Sequence, residues 1–242
     1  KDASAETLKI KEVNTGIYVV KADVLSDYLP KIQNHNSKKE FYLTDIIGLC
    51  IDDQLKVGTV SAPMRVSRGV NDQIQLAIAT RYHFKKKIKS LMENGVVVID
   101  PACTYIETNV QIGSGTVVYP NVYVRGNTTI GSFCVLEPNV QIMDSVISNG
   151  VQIKAGSYIE RSVIADQCSV GPYARLRPET ELGSEAHIGN FVELKKVKFG
   201  KKSKAGHLTY LGDAEIGEDV NIGCGTITCN YAVDKKKYRT KI

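Results

Sequence analysis

Residues 106–142 read IETNVQ, IGSGTV, VYPNVY, VRGNTT, IGSFCV, LEPNVQ, I, so that an aliphatic residue opens every group of six. The spacing continues to Thr228, and one residue is missing from it at four places, after Ile142, Ile159, Leu194 and Leu211. The repeated position is Ile, Leu or Val throughout, except at Phe199, Ala205 and Thr228. A period held over such a length indicates a repeat architecture.

The six-residue period predicts a parallel β-helix. Apolar residues three and four apart, which an α-helical repeat requires, are absent. Small or β-branched residues such as Val110, Thr116 and Cys134 stand four positions after the repeated aliphatic and fit tight corners. Gly often stands one position after it, where we expect unusual backbone dihedrals. Three hexads would close one coil of about 18 residues, with coils stacked at roughly 4.8 Å.

Composition points to an ordinary globular protein, with 242 residues, 43% hydrophobic and 24% charged. No apolar run reaches the roughly 18 residues that span a bilayer, so we expect no membrane span. The six Cys form no CxxC motif. Cys134 and Cys168 stand at the inward corner position, so we expect reduced core thiols there and a cytoplasmic protein. The lysine clusters lack interleaved aromatic residues, which argues against nucleic acid as a partner.

The first part of the chain does not follow the repeat. "VNTGIYVV" (13–20) and "KVGTVSA" (56–62) predict strands, and "ADVLSDYLPKIQ" (22–33) and "FYLTDIIGLCIDD" (41–53) predict helices. This alternation is typical of an α/β domain. We therefore expect a partial α/β domain at 1–71, a linking helix at 72–95 closed by Gly95, and the β-helix at 96–242. No cap is visible at the end, so we expect a piece of a longer protein.

Two basic residues are one coil apart in the second half of the repeat. Arg177 follows Leu176 and Lys195 follows Leu194, 18 positions later, so stacking places both on one face. Like charges on adjacent rungs are destabilising, which favours an anion close to them. Two solvated surface residues are the alternative.

A polar column is predicted at one corner. Asn190, His207 and Cys224 occupy equivalent places in successive coils. A lone His is more often structural, but a neutral imidazole here could accept a proton near pH 7. His187 and His207 are predicted on different faces, which does not support a histidine zinc site.

Four segments carry a more specific signal: "GPYARLRP" (171–178), "HIGNFVELKK" (187–196), "SKAGHLTYLGDAEIG" (203–217) and "NIGCGTITCNY" (221–231). With "KKEFYLTDII" and "RGVNDQIQL" they closely resemble the bifunctional N-acetylglucosamine-1-phosphate uridyltransferase/glucosamine-1-phosphate N-acetyltransferase family. The resemblance covers nearly the whole chain. It implies a left-handed β-helix, a homotrimer and a role in UDP-N-acetylglucosamine synthesis.

The resemblance also implies roles in acetyl transfer from acetyl-CoA to glucosamine 1-phosphate. His207 would be the general base, Arg177 and Lys195 would bind the sugar phosphate, and Tyr210 and Asn221 would contact the sugar. The implied acetyl-CoA contacts are Cys224, Asn230 and Tyr231. The family usually has Ala where Cys224 stands, and the loop "YAVDKKKYR" departs from its usual pattern, which leaves Lys236 without a firm counterpart.

For uridylyl transfer from UTP, the resemblance implies that Asn14 contacts N-acetylglucosamine and that Asn71 is a Mg²⁺ ligand. The family's nucleotide-binding loop and metal-binding Asp do not occur in the chain. We therefore expect this chain to lack uridyltransferase activity.

Two other functions stay open. One is a non-catalytic trimeric assembly or regulatory module, as in pyrophosphorylase paralogues, and the other is an acyltransferase with a different acceptor. His207 and the Arg177/Lys195 pair argue against the first.

Overall fold

The computed structural model describes Glu6 and residues 9–242, and the chain divides into two compact units, residues 1–76 and 77–242. The first unit contains the helices α1 (Ala22–Tyr28) and α2 (Asp45–Asp52), with short 3-10 turns at Leu29–Lys31 and Met64–Ser67. Its small core holds Tyr28, Ile32, Ile46 and Cys50. The two predicted helices are therefore present.

The two strands predicted in this unit do not form. Residues 13–20 and 56–62 have no strand in the structure, and Val13, Val19 and Val60 are exposed. An extended segment needs a neighbouring strand to satisfy its backbone groups, and the described residues of this unit supply none. These valines therefore remain outside any strand, although valine favours strands.

Helix α3 spans Gln73–Glu93 and is followed by Gly95 at φ +87°. Its last turns bury Ile88 and Leu91 in the same core as the repeat. No helix among the residues that the structure describes is long and apolar enough to cross a membrane.

The rest of the second unit is a parallel β-solenoid. Its strands are β1 (Val97–Val98), β2 (Tyr105–Ile106), β3 (Gln111–Ile112), β4 (Val117–Val118), β5 (Tyr123–Arg125), β6 (Thr129–Ile130), β7 (Val135–Leu136), β8 (Gln141–Met143), β9 (Val146–Ile147), β10 (Gln152–Ile153), β11 (Tyr158–Glu160), β12 (Ser162–Ile164), β13 (Ser169–Val170), β14 (Arg175–Leu176), β15 (Thr180–Leu182), β16 (His187–Phe199), β17 (Lys204–Ile216), β18 (Asn221–Ile222) and β19 (Thr240–Lys241).

Strands three apart in sequence pair in parallel, which gives the solenoid three faces. Face 1 is built on β3, β6, β9, β12 and β15; face 2 on β1, β4, β7, β10 and β13; and face 3 on β2, β5, β8, β11 and β14. The long strands β16 and β17 run over faces 2, 3 and 1 in turn. Partners such as Tyr105↔Tyr123 and Lys204↔Asn221 show the predicted coil length, 18 residues or one fewer.

The repeated aliphatic position forms the core. Every repeated residue from Ile106 to Thr228 is buried, including the three exceptions Phe199, Ala205 and Thr228. Most of the predicted small corner residues, Cys134 among them, are buried as well. Val163 is different: it is 49% exposed, because the missing residue after Ile159 moves the corner to Ser162.

All four shortened repeats occur at the same corner, between faces 3 and 1. Non-glycine residues with positive φ turn the chain there, at Asp144, Arg161, Lys196 and Asp213. A tight corner therefore absorbs the missing residue without disturbing the strands on either side.

The glycines that follow the repeated aliphatic have a different role from the predicted one. Gly171 has a positive φ of +100°, but the positive-φ positions of the repeat otherwise fall two or three residues after the aliphatic. At Gly189 a Cβ atom would overlap the backbone oxygen of Gly206, in the next coil. Close contact between coils, rather than dihedral freedom, excludes a side chain at Gly189, whereas a Cβ atom at Gly206 or Gly223 would meet nothing within 4 Å.

Candidate active site

Arg177 and Lys195 lie on adjacent coils of face 3, as predicted from their spacing. The register pairs Leu176 with Leu194, and the Arg177 backbone N–H donates to the Leu194 oxygen at 2.8 Å. The structure adds a carboxylate to this pair. An Arg177 Nη atom donates to Glu193 Oε1 at 2.8 Å, so Glu193 already balances one of the two cations and orients its guanidinium.

Two further side chains converge at Gly212, which pairs with Lys195 in the ladder. A Cβ atom at Gly212 would stand 2.5 Å from Tyr210 Oη and 2.9 Å from Asn230 Nδ2. Asn230 in turn donates to the Asp213 carboxylate. The absence of a side chain at Gly212 thus leaves room for Tyr210 and Asn230 beside Lys195.

His207 is exposed at the corner between faces 2 and 3. It pairs with Asn190 in the coil below. The register is constant on both sides of Cys224, with Ala205↔Ile222 before it and Tyr210↔Ile227 after it, so Cys224 lies opposite His207 in the coil above. The predicted column Asn190–His207–Cys224 is therefore present. Within the described part of the chain the His207 imidazole makes no hydrogen bond, which leaves it free to face a substrate.

Asn221 does not join the face 3 group. It is exposed on face 2, where it pairs with Lys204. Arg177, Lys195 and Tyr210 are on face 3, around the corner that carries His207. In one chain, Asn221 and the other predicted contacts to the sugar phosphate therefore lie on different faces, on either side of the corner that carries His207.

The segment after Thr228 leaves the solenoid as a hairpin. Tyr231 bridges Lys237 in antiparallel fashion, and the chain returns to the ladder where Thr240 pairs with Ala214. Asp234 stabilises the turn by accepting from the Lys236 N–H at 3.0 Å and from Tyr238 Oη at 2.7 Å. These two donors hold the pKa of Asp234 below its usual value. Tyr231 is exposed on this hairpin.

The six cysteines are all free. Cys134 and Cys168 are buried at corners, as predicted, and burial raises the pKa of Cys168 to about 11. Cys224 and Cys229 are exposed.

The two residues predicted for uridylyl transfer are both exposed in the first unit. Asn14 Oδ1 accepts from the Gly16 N–H at 2.9 Å, and the Asn71 N–H donates to Gln75 Oε1 at 2.7 Å. No group of three His, Cys, Asp or Glu residues in the described part of the chain could hold a metal ion. The residues around Asn71 therefore do not fit a magnesium centre by themselves, and the role of Asn71 stays a prediction.

Two functional features escaped the reading of the sequence. Glu193 is 18 residues after Arg175, and the register pairs the two, so the coil length alone could have placed it beside Arg177. The approach of Asn230 to Gly212 had no such signal, because the hairpin breaks the period.

Known proteins resemble this chain over all or much of its length. A family model described as the GMPPB C-terminal domain matches residues 95–205. The bifunctional protein GlmU of Bdellovibrio bacteriovorus is 66% identical over 242 residues, which is 100% of this chain and 53% of that protein. The bifunctional protein GlmU of Thermosipho melanesiensis is 52% identical over 231 residues, 96% of this chain and 50% of that protein.

The solved structures that match this chain are more distant in sequence. The UDP-N-acetylglucosamine acyltransferase of Arabidopsis is 17% identical with a TM-score of 0.48, covering 55% of this chain and 59% of that one. A mutant of perosamine N-acetyltransferase from Caulobacter crescentus, in complex with CoA and GDP-perosamine, is 14% identical with a TM-score of 0.27, covering 65% and 60%.

The sequence relatives are more informative than the solved structures. The chain aligns over its whole length with proteins of one name, and it spans about half the length of those curated relatives. It is a homologue of the bifunctional GlmU proteins.

Proposed function

We propose that the solenoid catalyses acetyl transfer from acetyl-CoA to the amine of glucosamine 1-phosphate. The observation that carries the proposal is the register of β14, β16 and β17, which gathers Arg177, Lys195 and Tyr210 on one face and His207 at its edge. The identity to GlmU relatives supports the choice of substrate.

In this proposal the phosphate binds between Arg177 and Lys195. Charge-assisted hydrogen bonds from a guanidinium and an ammonium are well suited to a phosphate. Glu193 keeps the Arg177 guanidinium in place before the substrate arrives. Tyr210 and Asn221 contact the sugar, and the Cys224 position, Asn230 and Tyr231 contact the coenzyme.

His207 acts as the general base. The substrate nitrogen attacks the thioester carbonyl, and His207 takes the proton that the nitrogen loses as the new C–N bond forms. The C–S bond then breaks, and the thiolate of the coenzyme receives a proton. A backbone N–H at position 224 stabilises the oxyanion of the tetrahedral intermediate.

The site is completed in a homotrimer. His207 is exposed in the single chain, and Asn221 faces away from Arg177 and Lys195. A neighbouring subunit against this edge would bring face 2 of one chain opposite face 3 of another and exclude water. Uridylyl transfer from UTP to N-acetylglucosamine 1-phosphate, with a Mg²⁺ ion, is a second activity proposed for the whole protein and not for this chain by itself.

The test is acetylation of glucosamine 1-phosphate by the His207→Ala variant. We expect kcat to fall by roughly 10²–10⁴-fold, the usual contribution of a positioned base. His83→Ala, a histidine of α3, is the matched control and should retain full activity. Unchanged turnover in His207→Ala, with an unaltered circular dichroism spectrum, would remove His207 as the base.

The same assay tests the alternative of a non-catalytic assembly module. That alternative requires no acetyl transfer to glucosamine 1-phosphate by the full-length protein. An acyltransferase with another acceptor would instead consume acetyl-CoA with a different amine or hydroxyl compound.

A further inference from the structure

The hairpin that follows Thr228 is fastened to the solenoid at both of its ends. At its start, Thr228 Oγ1 accepts from the Gly212 N–H at 2.7 Å and donates to the Gly212 oxygen at 3.1 Å. At its end, Thr240 returns to the ladder of β17. The stretch between these two points, residues 229–238, depends on other contacts.

One hydrogen bond links this stretch to the solenoid. Among the residues that the structure describes, the single hydrogen bond or ion pair from 229–238 to the solenoid is the one that the Asn230 side-chain amide donates to the Asp213 carboxylate. Both residues are half-buried. The cation next to Asp213 at this corner, Lys196 in the coil below, pairs instead with Glu179 at 2.8 Å. An ion pair therefore does not account for the carboxylate of Asp213.

The turn of the chain is the alternative explanation for an aspartate at this corner. Asp213 has a φ of +48°, and Asp adopts the left-handed region more readily than most residues. Asp144, at the equivalent place on an earlier coil, has a φ of +47°. Its carboxylate accepts from the backbone N–H of Asn127 at 2.9 Å, whereas that of Asp213 accepts from the hairpin. Comparing the two aspartates therefore separates the demand of the turn from a hold on the hairpin.

Asn230 is also the side chain through which the hairpin reaches the candidate site. A Cβ atom at Gly212 would stand 2.9 Å from its amide nitrogen and 2.5 Å from the Tyr210 hydroxyl, and Gly212 pairs with Lys195. A side-chain amide can rotate, and a hydrogen bond to a charged group is strong enough to fix it. The place of Asn230 beside Tyr210 and Lys195 thus depends on the carboxylate that it binds.

We propose that Asp213 is a positioning residue for coenzyme binding, whose carboxylate fixes the Asn230 amide and so holds residues 229–238 against face 3. The inference rests on the proposed function, in which Asn230 contacts acetyl-CoA. An isolated two-stranded hairpin is only marginally stable in water, so without this link the segment should open more often between its fixed ends. Asp213 acts through Asn230 and does not itself touch the coenzyme.

The test variant is Asp213→Gly, which removes the carboxylate and keeps a positive φ that glycine adopts freely. Hydrogen exchange of peptides covering 229–238 in the full-length protein, read by mass spectrometry, reports opening of the hairpin without any turnover. We expect the Ala232 and Tyr238 amides, which donate to backbone oxygens within the hairpin, to exchange about tenfold faster, an effect within reach of a hydrogen bond to a charged group. Asp144→Gly makes the same change at the equivalent corner and should leave the exchange as in the wild type.

Affinity for coenzyme A distinguishes positioning from a purely structural role. In titration calorimetry, Asp213→Gly should bind coenzyme A about tenfold more weakly, while its affinity for glucosamine 1-phosphate, which depends on Arg177 and Lys195, should change by less than about twofold. Asp213→Asn keeps an acceptor oxygen at the same place. It should therefore restore both the protection of the hairpin and most of the affinity for coenzyme A.

The outcomes separate this inference from the proposed function. A wild-type protein that does not bind coenzyme A would contradict the proposed function, and with it the coenzyme role of Asp213. If the wild type binds coenzyme A, exchange or affinity in Asp213→Gly that equals that in Asp144→Gly would overturn the role of Asp213 alone. Equal weakening of coenzyme A and glucosamine 1-phosphate binding in Asp213→Gly would also overturn it, because general damage to the solenoid would then be the cause.

Discussion

At Gly212 and Gly189 a single added methyl group has different neighbours. The methyl of Gly212→Ala would meet the Tyr210 hydroxyl and the Asn230 amide, which are ends of side chains that can move. The methyl of Gly189→Ala would meet the backbone oxygen of Gly206, which cannot move without shifting a whole coil. The first substitution should therefore displace site residues, and the second should damage the fold.

We expect Gly212→Ala to reduce acetyl transfer at least tenfold with almost no change in the melting temperature. Gly189→Ala should lose about 3 kcal/mol of unfolding free energy, at the upper end of what overpacking usually costs. Urea denaturation and the acetylation assay, run on both variants, check the pair. Equal losses of stability would contradict the distinction between movable side chains and fixed backbone.

Residue-level predictions from the sequence succeeded where the period could be counted. Arg177 and Lys195 were placed on adjacent coils because 18 residues separate them, and Asn190 was aligned with His207 because one shortened repeat could be subtracted. The same coil length aligns Glu193 with Arg175, two residues before Arg177. Asn230 could not be placed, since the hairpin that carries it follows no period.

Within single strands, the alternation of buried and exposed residues provides a matched comparison. In β12, Ile164 is fully buried, and its neighbour Val163 is 49% exposed. Ile164→Ala should cost about 3 kcal/mol of unfolding free energy, from lost burial and the cavity left behind. Val163→Ala should stay within about 0.5 kcal/mol, as for most surface substitutions. Chemical denaturation of the two variants measures both values, and a large loss at Val163 would mean that this position is covered in solution.

The cysteines offer a second measurement at the level of elements. Cys224 and Cys229 lie outside the strands and are exposed, whereas Cys134 and Cys168 face the core. Because the thiolate is the reactive form, burial that raises the pKa of Cys134 and Cys168 also suppresses their reactivity.

A thiol reagent such as dithionitrobenzoate should therefore modify Cys224 and Cys229 rapidly in the native protein. Cys134 and Cys168 should react only on unfolding. The variant Cys224→Ser/Cys229→Ser should lose the rapid phase. Rapid labelling of Cys168 in that variant, identified by mass spectrometry of peptides, would show that the solenoid opens.

The positions of the solenoid strands were predictable because each hexad holds one buried aliphatic and a corner. The strands predicted in the first unit do not form, although Val13, Val19 and Val60 favour extended structure. The reason is physical: a coil of the solenoid finds its partner one turn away in the same chain, while an isolated strand depends on a partner that the described residues of the unit do not provide.

The corner between faces 2 and 3, beside His207, carries an exposed apolar surface that favours association of subunits. Tyr173, Phe191 and Leu208 occupy this corner in successive coils and are each more than half exposed, with Tyr173 and Phe191 stacked at 5.7 Å between ring centroids. Apolar residues grouped in this way mark an interaction surface more often than a solvated one. Light scattering should therefore give three times the chain mass of 26.6 kDa, as the proposed homotrimer requires.

A shared site can be tested by mixing inactive subunits. If face 2 of one chain meets face 3 of the next, a trimer that combines Arg177→Ala/Lys195→Ala chains with Asn221→Ala chains contains some interfaces with both faces intact. Co-expression of the two variants should then restore a measurable fraction of the acetyl transfer that each lacks alone. The control pairs Arg177→Ala with Lys195→Ala, two residues of one face, for which every mixed interface keeps a defect. No recovery in either mixture would place the whole site within a single chain, and equal recovery in both would contradict a site shared between faces 2 and 3.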